Sequence, residues 1–168
     1  MKMTIKIFIT GGTIENLEYD AEEKAPTNIK SIIPELLKQA RLSSAYSAEV
    51  LMMKDSKFVN NEDGKFILSK CKKSREGKII ITHGTATMPE TAILLGKSKI
   101  KKTIVLTGSA IPAANQKSDA LFNIGFAFSS VKLLPPGVYI AMNGKIFSWK
   151  SVKKNLTTGY FESIKGVK

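Results

Sequence analysis

Thr4 to Thr10 reads Thr-Ile-Lys-Ile-Phe-Ile-Thr, a β-branched run closed by Gly11-Gly12, and predicts a first strand. The stretch from Asn16 to Asn28 is polar, acidic and proline-containing, which predicts a mobile loop. Ile32, Ile33, Leu36, Leu37 and Ala40 then recur at helical spacing between Ile29 and Arg41, and Ala48 to Met53 is again strand-like. Asn61 to Lys73 is patterned as a second helix through Phe66, Ile67, Leu68 and Cys71. Lys78 to Thr82 is a third strand that runs into His83-Gly84. A helix with proline in its first turn follows over Pro89 to Leu95, and then a fourth strand, Thr103 to Thr107, that meets Gly108-Ser109. Ser118-Asp119 offers caps for a helix to Leu134, which Pro135-Pro136-Gly137 stops. Val138 to Met142 is a fifth strand, and Asn143-Gly144 is the strongest hairpin signal in the chain, with Phe147 and Trp149 beyond it as core or oligomer contacts.

Five apolar strands alternating with helices imply an α/β fold: an open, mostly parallel sheet with helices on both faces and a C-terminal hairpin. In such sheets ligands bind beyond the carboxyl ends of the strands, where strand order reverses. Three segments meet that description, each a strand followed at once by glycine and a small hydroxyl residue: Thr10-Gly11-Gly12-Thr13, Thr82-His83-Gly84-Thr85 and Thr107-Gly108-Ser109.

Composition narrows the function classes. The 168 residues, 43% hydrophobic and 24% charged, suit one globular domain over residues 1–168. The apolar run at the start is too short for a signal peptide or a membrane span, so a cytoplasmic location without membrane association is the expectation. A net charge of +12 invites a nucleic-acid reading, but only Arg41 and Arg75 are arginines, the lysines are spread over every segment, and no nucleic-acid-binding motif accompanies them. No nucleic-acid partner is expected. The single Cys71 excludes an internal disulfide, and its lysine neighbours leave a lowered thiol pKa open, with an inert thiol the simpler reading.

Glycines at strand ends bring bare backbone amides up to an anion or an oxyanion, and Gly11-Gly12-Thr13 adds a hydroxyl to that arrangement. The later glycines of the dinucleotide fingerprint and the Gly-Lys-Ser/Thr ending of the phosphate loop are missing, so both nucleotide readings fall. On spacing alone, a tight turn without a ligand remains the simpler account.

The residues His83-Gly84-Thr85-Ala86-Thr87-Met88-Pro89-Glu90-Thr91-Ala92 resemble the second signature of bacterial L-asparaginases, and Ile9-Thr10-Gly11-Gly12-Thr13-Ile14 resembles the first. The resemblance continues through Val105 to Ser109, Ser118-Asp119, Phe122-Asn123 and Val138 to Gly144, and it is closest to the short, single-domain asparaginase-like proteins. It implies a three-layer Rossmann-like or flavodoxin-like fold and hydrolysis of asparagine, in some members also glutamine. It also implies no metal or organic cofactor, and dimers or tetramers of identical chains, with Phe126, Phe128 and Trp149 as contact candidates.

Residue by residue, the resemblance implies that Thr13 attacks the side-chain amide to form an acyl-enzyme and that Tyr19 helps to activate it. Thr85 is implied to be the second site threonine, which activates water and polarises the amide. Gly12, Asp55, Ser56, Gly84 and Ala86 are implied to bind substrate, Ser56 through its α-carboxylate. Lys132 is the candidate for the lysine that completes the second group. One position departs from the family: the residue after Thr85 is normally an aspartate that binds the substrate's α-ammonium, and here it is Ala86. Two readings therefore stand side by side, a weak asparaginase-type amidohydrolase and a degenerate module that binds a small acid or amino acid without turnover.

Overall fold

The computed structural model describes residues 4–18, 20, 21, 24 and 30–164. Strands β1 (Ile5–Gly11), β2 (Tyr46–Lys54), β3 (Lys78–Thr82), β4 (Thr103–Thr107), β5 (Gly137–Met142) and β6 (Lys145–Ser148) form one sheet in the order β2-β1-β3-β4-β5-β6. All neighbours are parallel except the β5–β6 hairpin. Helices α1 (Ile33–Gln39), α2 (Asn61–Lys73), α3 (Met88–Lys97) and α4 (Ala120–Leu133) fill the connections.

Two cores result, one on each face. Alternation along a strand sends successive side chains to opposite faces. Phe8, Ile79 and Ile81 accordingly pack with Ile67 and Cys71 of α2 and Met88, Ala92 and Leu95 of α3. Ile5, Ile7, Ile9 and Ile80 pack with Leu36 and Leu37 of α1 and Ile124, Ala127 and Val131 of α4. The three-layer α/β architecture expected from the alternating pattern is present.

Most strands and helices lie where their patterns put them, and the departures have local causes. The first helix starts at Ile33, with Pro34 in its opening turn. Asn143 and Gly144 turn the hairpin with φ of 53° and 75°, the paired left-handed conformation that an Asn-Gly turn supplies. Asp119 precedes α4 without capping it, while Ser118 Oγ accepts from Ala120 N at 3.1 Å. Two short strands, β7 (Val152–Lys154) and β8 (Phe161–Ser163), were not expected; they pair antiparallel as a separate small sheet whose Val152 and Phe161 join the core of α2 and α3. Phe128 is a core residue, edge-on to Tyr46, and Trp149 lies against Gly96, where a β-carbon would come within 2.1 Å of the indole. Among the described residues no helix is long and apolar enough to cross a membrane.

Candidate active site

Strand order reverses between β1 and β3, so the crevice predicted for a ligand opens where Gly12 and Gly84 leave their strands. These two glycines touch. A β-carbon on Gly12, whose φ is 84°, would sit 2.3 Å from Gly84 Cα, and one on Gly84 would sit 2.4 Å from Ser56 Oγ. No other residue fits either place, and the contact stacks the β1, β3 and post-β2 turns into one site.

Thr13 opens a single 3-10 turn, Thr13–Glu15, half-buried at the rim of this crevice. Its hydroxyl donates to Glu18 Oε1 across a long 3.4 Å. The turn is held at its root by Gly12 N on Lys54 O at 2.7 Å. Glu15, the third residue of the turn, is buried, and its two oxygens accept from Ser31 Oγ at 2.6 Å and Ile32 N at 2.8 Å. Burial pushes its carboxyl above the ordinary value and outweighs the lowering by these hydrogen bonds. The native state therefore binds this proton more tightly than the unfolded chain does. Stability from this group is full below about 4.5 and is lost as pH rises through the raised value. Glu15→Gln removes that loss, so the melting-temperature difference between variant and parent is expected to grow in the variant's favour from pH 4 to pH 7; a difference independent of pH would refute the assignment.

Ser56 is buried at the start of a 3-10 turn, Ser56–Phe58. Its hydroxyl oxygen accepts from Ala86 N at 3.1 Å, and its carbonyl accepts from Thr87 Oγ1 at 2.7 Å. Asp55 caps that turn by accepting from Lys57 N at 3.1 Å and pairs with the Lys57 ammonium at 3.2 Å. Thr85 is buried beside Gly84, and its Oγ1 accepts from Lys154 Nζ at 2.7 Å. Lys154 reaches it from β7, 69 positions further along the chain. Burial lowers the pKa of this half-buried amine, and no carboxylate among the described residues pairs with it. Ala86 offers only a methyl group here.

Lys132, the sequence candidate for the lysine of this group, is not in the crevice. Lys132 lies in the last turn of α4, at the opposite end of the sheet from the crevice, with its Nζ on Ser44 Oγ just before β2. Helix α4 runs antiparallel to the strands, which carries its C-terminal turn away from the strand carboxyl ends. Tyr19 lies outside the described residues. Gly12, Thr13, Ser56, Gly84, Thr85 and Ala86 do converge, with Asp55 at the edge of the group.

The remaining polar groups hold the framework. His83 is completely buried, its Nδ1 donating to Gly84 O at 2.8 Å and its Nε2 accepting from Thr91 Oγ1 at 3.0 Å; burial lowers its pKa, so it is a neutral brace. Asp119 accepts from Ala110 N and Ile111 N, both at 3.0 Å, and from Asn123 Nδ2 at 2.8 Å, which pins the loop after β4. Cys71 is fully buried and its thiol is pushed up to about 12, which removes it as a nucleophile. A cavity of about 210 Å³ lies beside Thr85, walled by Ile111, Asp119, Met142, Asn143 and Tyr160 among others.

A flavodoxin-like strand order with threonine-bearing glycine turns on both sides of its switch point defines an α/β protein with a crevice at the strand carboxyl ends. The chain belongs to the asparaginase family, since residues 4–166 match its "Asparaginase, N-terminal" domain. It is 32% identical over 169 residues to the Haemophilus influenzae protein named "Probable L-asparaginase periplasmic", covering 92% of this chain and 47% of that one. The thermostable L-asparaginase from Thermococcus kodakarensis superposes with a TM-score of 0.81 at 27% identity, over 96% of this chain and 51% of that one. A Campylobacter jejuni structure titled "Probable Cytoplasmic L-asparaginase" gives 0.82 at 31% identity, over 99% and 54%. The chain thus spans about half the length of the relatives it matches.

Proposed function

We propose that this chain is an asparaginase-type amidohydrolase that releases ammonia from L-asparagine or a related side-chain amide through a threonine acyl-enzyme. The Thr13 oxygen attacks the amide carbon, and Glu18, which accepts the Thr13 hydrogen bond, is the described group placed to receive its proton. Backbone amides near Gly12 and the Thr85 hydroxyl stabilise the oxyanion. The carbon–nitrogen bond then breaks as Glu18 passes that proton to the leaving nitrogen, and ammonia departs. The Lys154 amine, in its deprotonated form, takes a proton from water through Thr85; the hydroxide opens the ester, and the proton passes to the leaving Thr13 oxygen, restoring its hydroxyl and the amine. Tyr19 belongs to this reading on resemblance, as does assembly into dimers or tetramers. Phe122, which is 61% exposed and stacked on Phe126 at 6.4 Å, supplies an apolar surface for assembly.

The observation that carries the proposal is the Lys154–Thr85 hydrogen bond beside the Gly12–Gly84 contact, which puts an amine-backed hydroxyl across the crevice from the Thr13 turn. The test is ammonia release from L-asparagine. Turnover is expected to be weak, and none at millimolar enzyme-saturating substrate would overturn the enzyme reading.

Ala86 favours the second reading, a binding module for an acid without an α-ammonium, because it leaves Lys154 without a carboxylate partner among the described residues, and the protonated amine would attract an acid. Ala86→Asp separates the two. A restored charge-assisted hydrogen bond is worth roughly 1.5–3 kcal/mol, so kcat/KM for asparagine is expected to rise about 10- to 100-fold. Calorimetric titration supplies the contrast: firm binding of succinate to the parent, weakened in Ala86→Asp, with no asparagine binding by either protein, would establish the module instead.

A further inference from the structure

Glu15 stands apart from the mechanism above, yet it is one of the least exposed charged residues described, at 4% of its accessible surface. A carboxylate is buried without a cation only where hydrogen bonds hold it, and here both oxygens are committed, to Ser31 Oγ at 2.6 Å and Ile32 N at 2.8 Å. Ser31 Oγ in turn accepts from Ile33 N at 3.1 Å. Helix α1 has no side-chain cap of its own from Ile32, so Glu15 takes the Ile32 amide from 17 positions upstream and, through Ser31, supports the acceptor of the Ile33 amide.

The contact joins two segments: Glu15 ends the 3-10 turn that begins at Thr13, and Ser31-Ile32 leads directly into α1, so the hydrogen bonds tie the turn to the start of the helix. Ile14, within the same turn, is buried against the core that contains Ile33, Leu36 and Leu37. On the far side Gly12 is fixed by Lys54 O and by its contact with Gly84, and Asn16 Oδ1 accepts from Ala114 N at 3.2 Å. Thr13 is the residue between these anchors that has no core contact of its own.

We propose that Glu15 is a positioning residue for Thr13, clasping the Thr13–Glu15 turn to the start of α1 so that the Thr13 hydroxyl keeps a fixed place at the crevice. The proposal rests on Thr13 as nucleophile for its kinetic consequence and on the clasp alone for its structural one. A displacement of about 1 Å in a reacting group costs on the order of 100-fold in rate. Gln at this position can accept from Ile32 N and donate to Ser31 Oγ, so it preserves the clasp; Ala cannot.

The experiment compares Glu15→Ala, Glu15→Gln and Ser31→Ala by ammonia release and by residue-resolved amide hydrogen exchange. Glu15→Ala is expected to lower kcat about 10- to 100-fold with little change in KM, and to speed exchange at residues 13–17 and 31–33 while the β3 and β4 amides stay protected. Glu15→Gln is expected to restore both, and Ser31→Ala to fall between. Unchanged exchange around Thr13 in Glu15→Ala would overturn the clasp, and faster exchange with unchanged kcat would overturn its role in positioning. If Glu15→Ala fails to fold, full activity in Ser31→Ala with loosened exchange at 13–17 overturns the proposal in the same way. Thr13→Ala, measured in parallel, reports on the nucleophile itself and leaves the exchange result independent of it.

Discussion

Replacing Lys154 by methionine is expected to lower the rate of ammonia release by about 10²- to 10⁴-fold, the range over which a positioned acid or base contributes. Methionine keeps an unbranched stem against the β7–β8 sheet but has no amine to place on Thr85 Oγ1. The size of the effect depends on a group that is basic when neutral, and burial prepares Lys154 for that by disfavouring its ammonium. A base whose pKa is lowered becomes competent as pH rises through the lowered value, so the parent's kcat should climb across that range and the variant's should not. Lys154→Arg separates charge from basicity, because a guanidinium keeps the cation at every accessible pH and cannot accept the proton. If Lys154→Met stayed within threefold of the parent with the same pH profile, Thr85 would act without it.

Thr13→Ala is the second large effect. Removal of the attacking oxygen leaves no route to an acyl-enzyme, and activity is expected to fall to the assay background while the fold persists, since the Thr13 side chain contributes no core packing. What survives in such variants elsewhere is roughly 10³- to 10⁴-fold over water, from oxyanion stabilisation and binding alone. Intact-protein mass after rapid acid quenching gives the direct reading. The parent should carry the mass of one acyl group during turnover, and Thr13→Ala should not. An acylated Thr13→Ala chain would move the nucleophile elsewhere, with Thr85 the next hydroxyl to test.

The sheet was legible because its central strands β1, β3 and β4 are apolar runs, buried on both faces, that run into glycine within two residues; β3 and β4 have the same bounds in pattern and in structure. The convergence of Gly12, Thr13, Ser56, Gly84 and Thr85 followed from the rule about strand carboxyl ends together with the family signatures. What was not legible is the part of the site built by charge and by short elements. Lys154 is one of 26 basic residues, and its strand, Val-Lys-Lys, is too short for any period to register. A signal was present in Thr157-Thr158-Gly159, a turn sequence between apolar Val152 and Phe161 that marks a hairpin. Lys132 was chosen for its place along the chain, which says nothing about which end of a helix faces the crevice. Glu15 was passed over because a glutamate after a glycine turn carries no pattern; only the fold shows that it is buried.

The long span between Thr85 and Lys154 has a consequence for a chain still being made. At about 5–20 residues per second, a ribosome takes several seconds to travel from one to the other. The strands β1 to β5, and with them the Thr13 and Thr85 turns, are all encoded upstream of the lysine, so the nascent sheet can close around an unarmed crevice. In the proposed mechanism, completed turnover waits until the β7–β8 hairpin is synthesised and laid against the sheet, because the amine that serves Thr85 is encoded after both threonine turns.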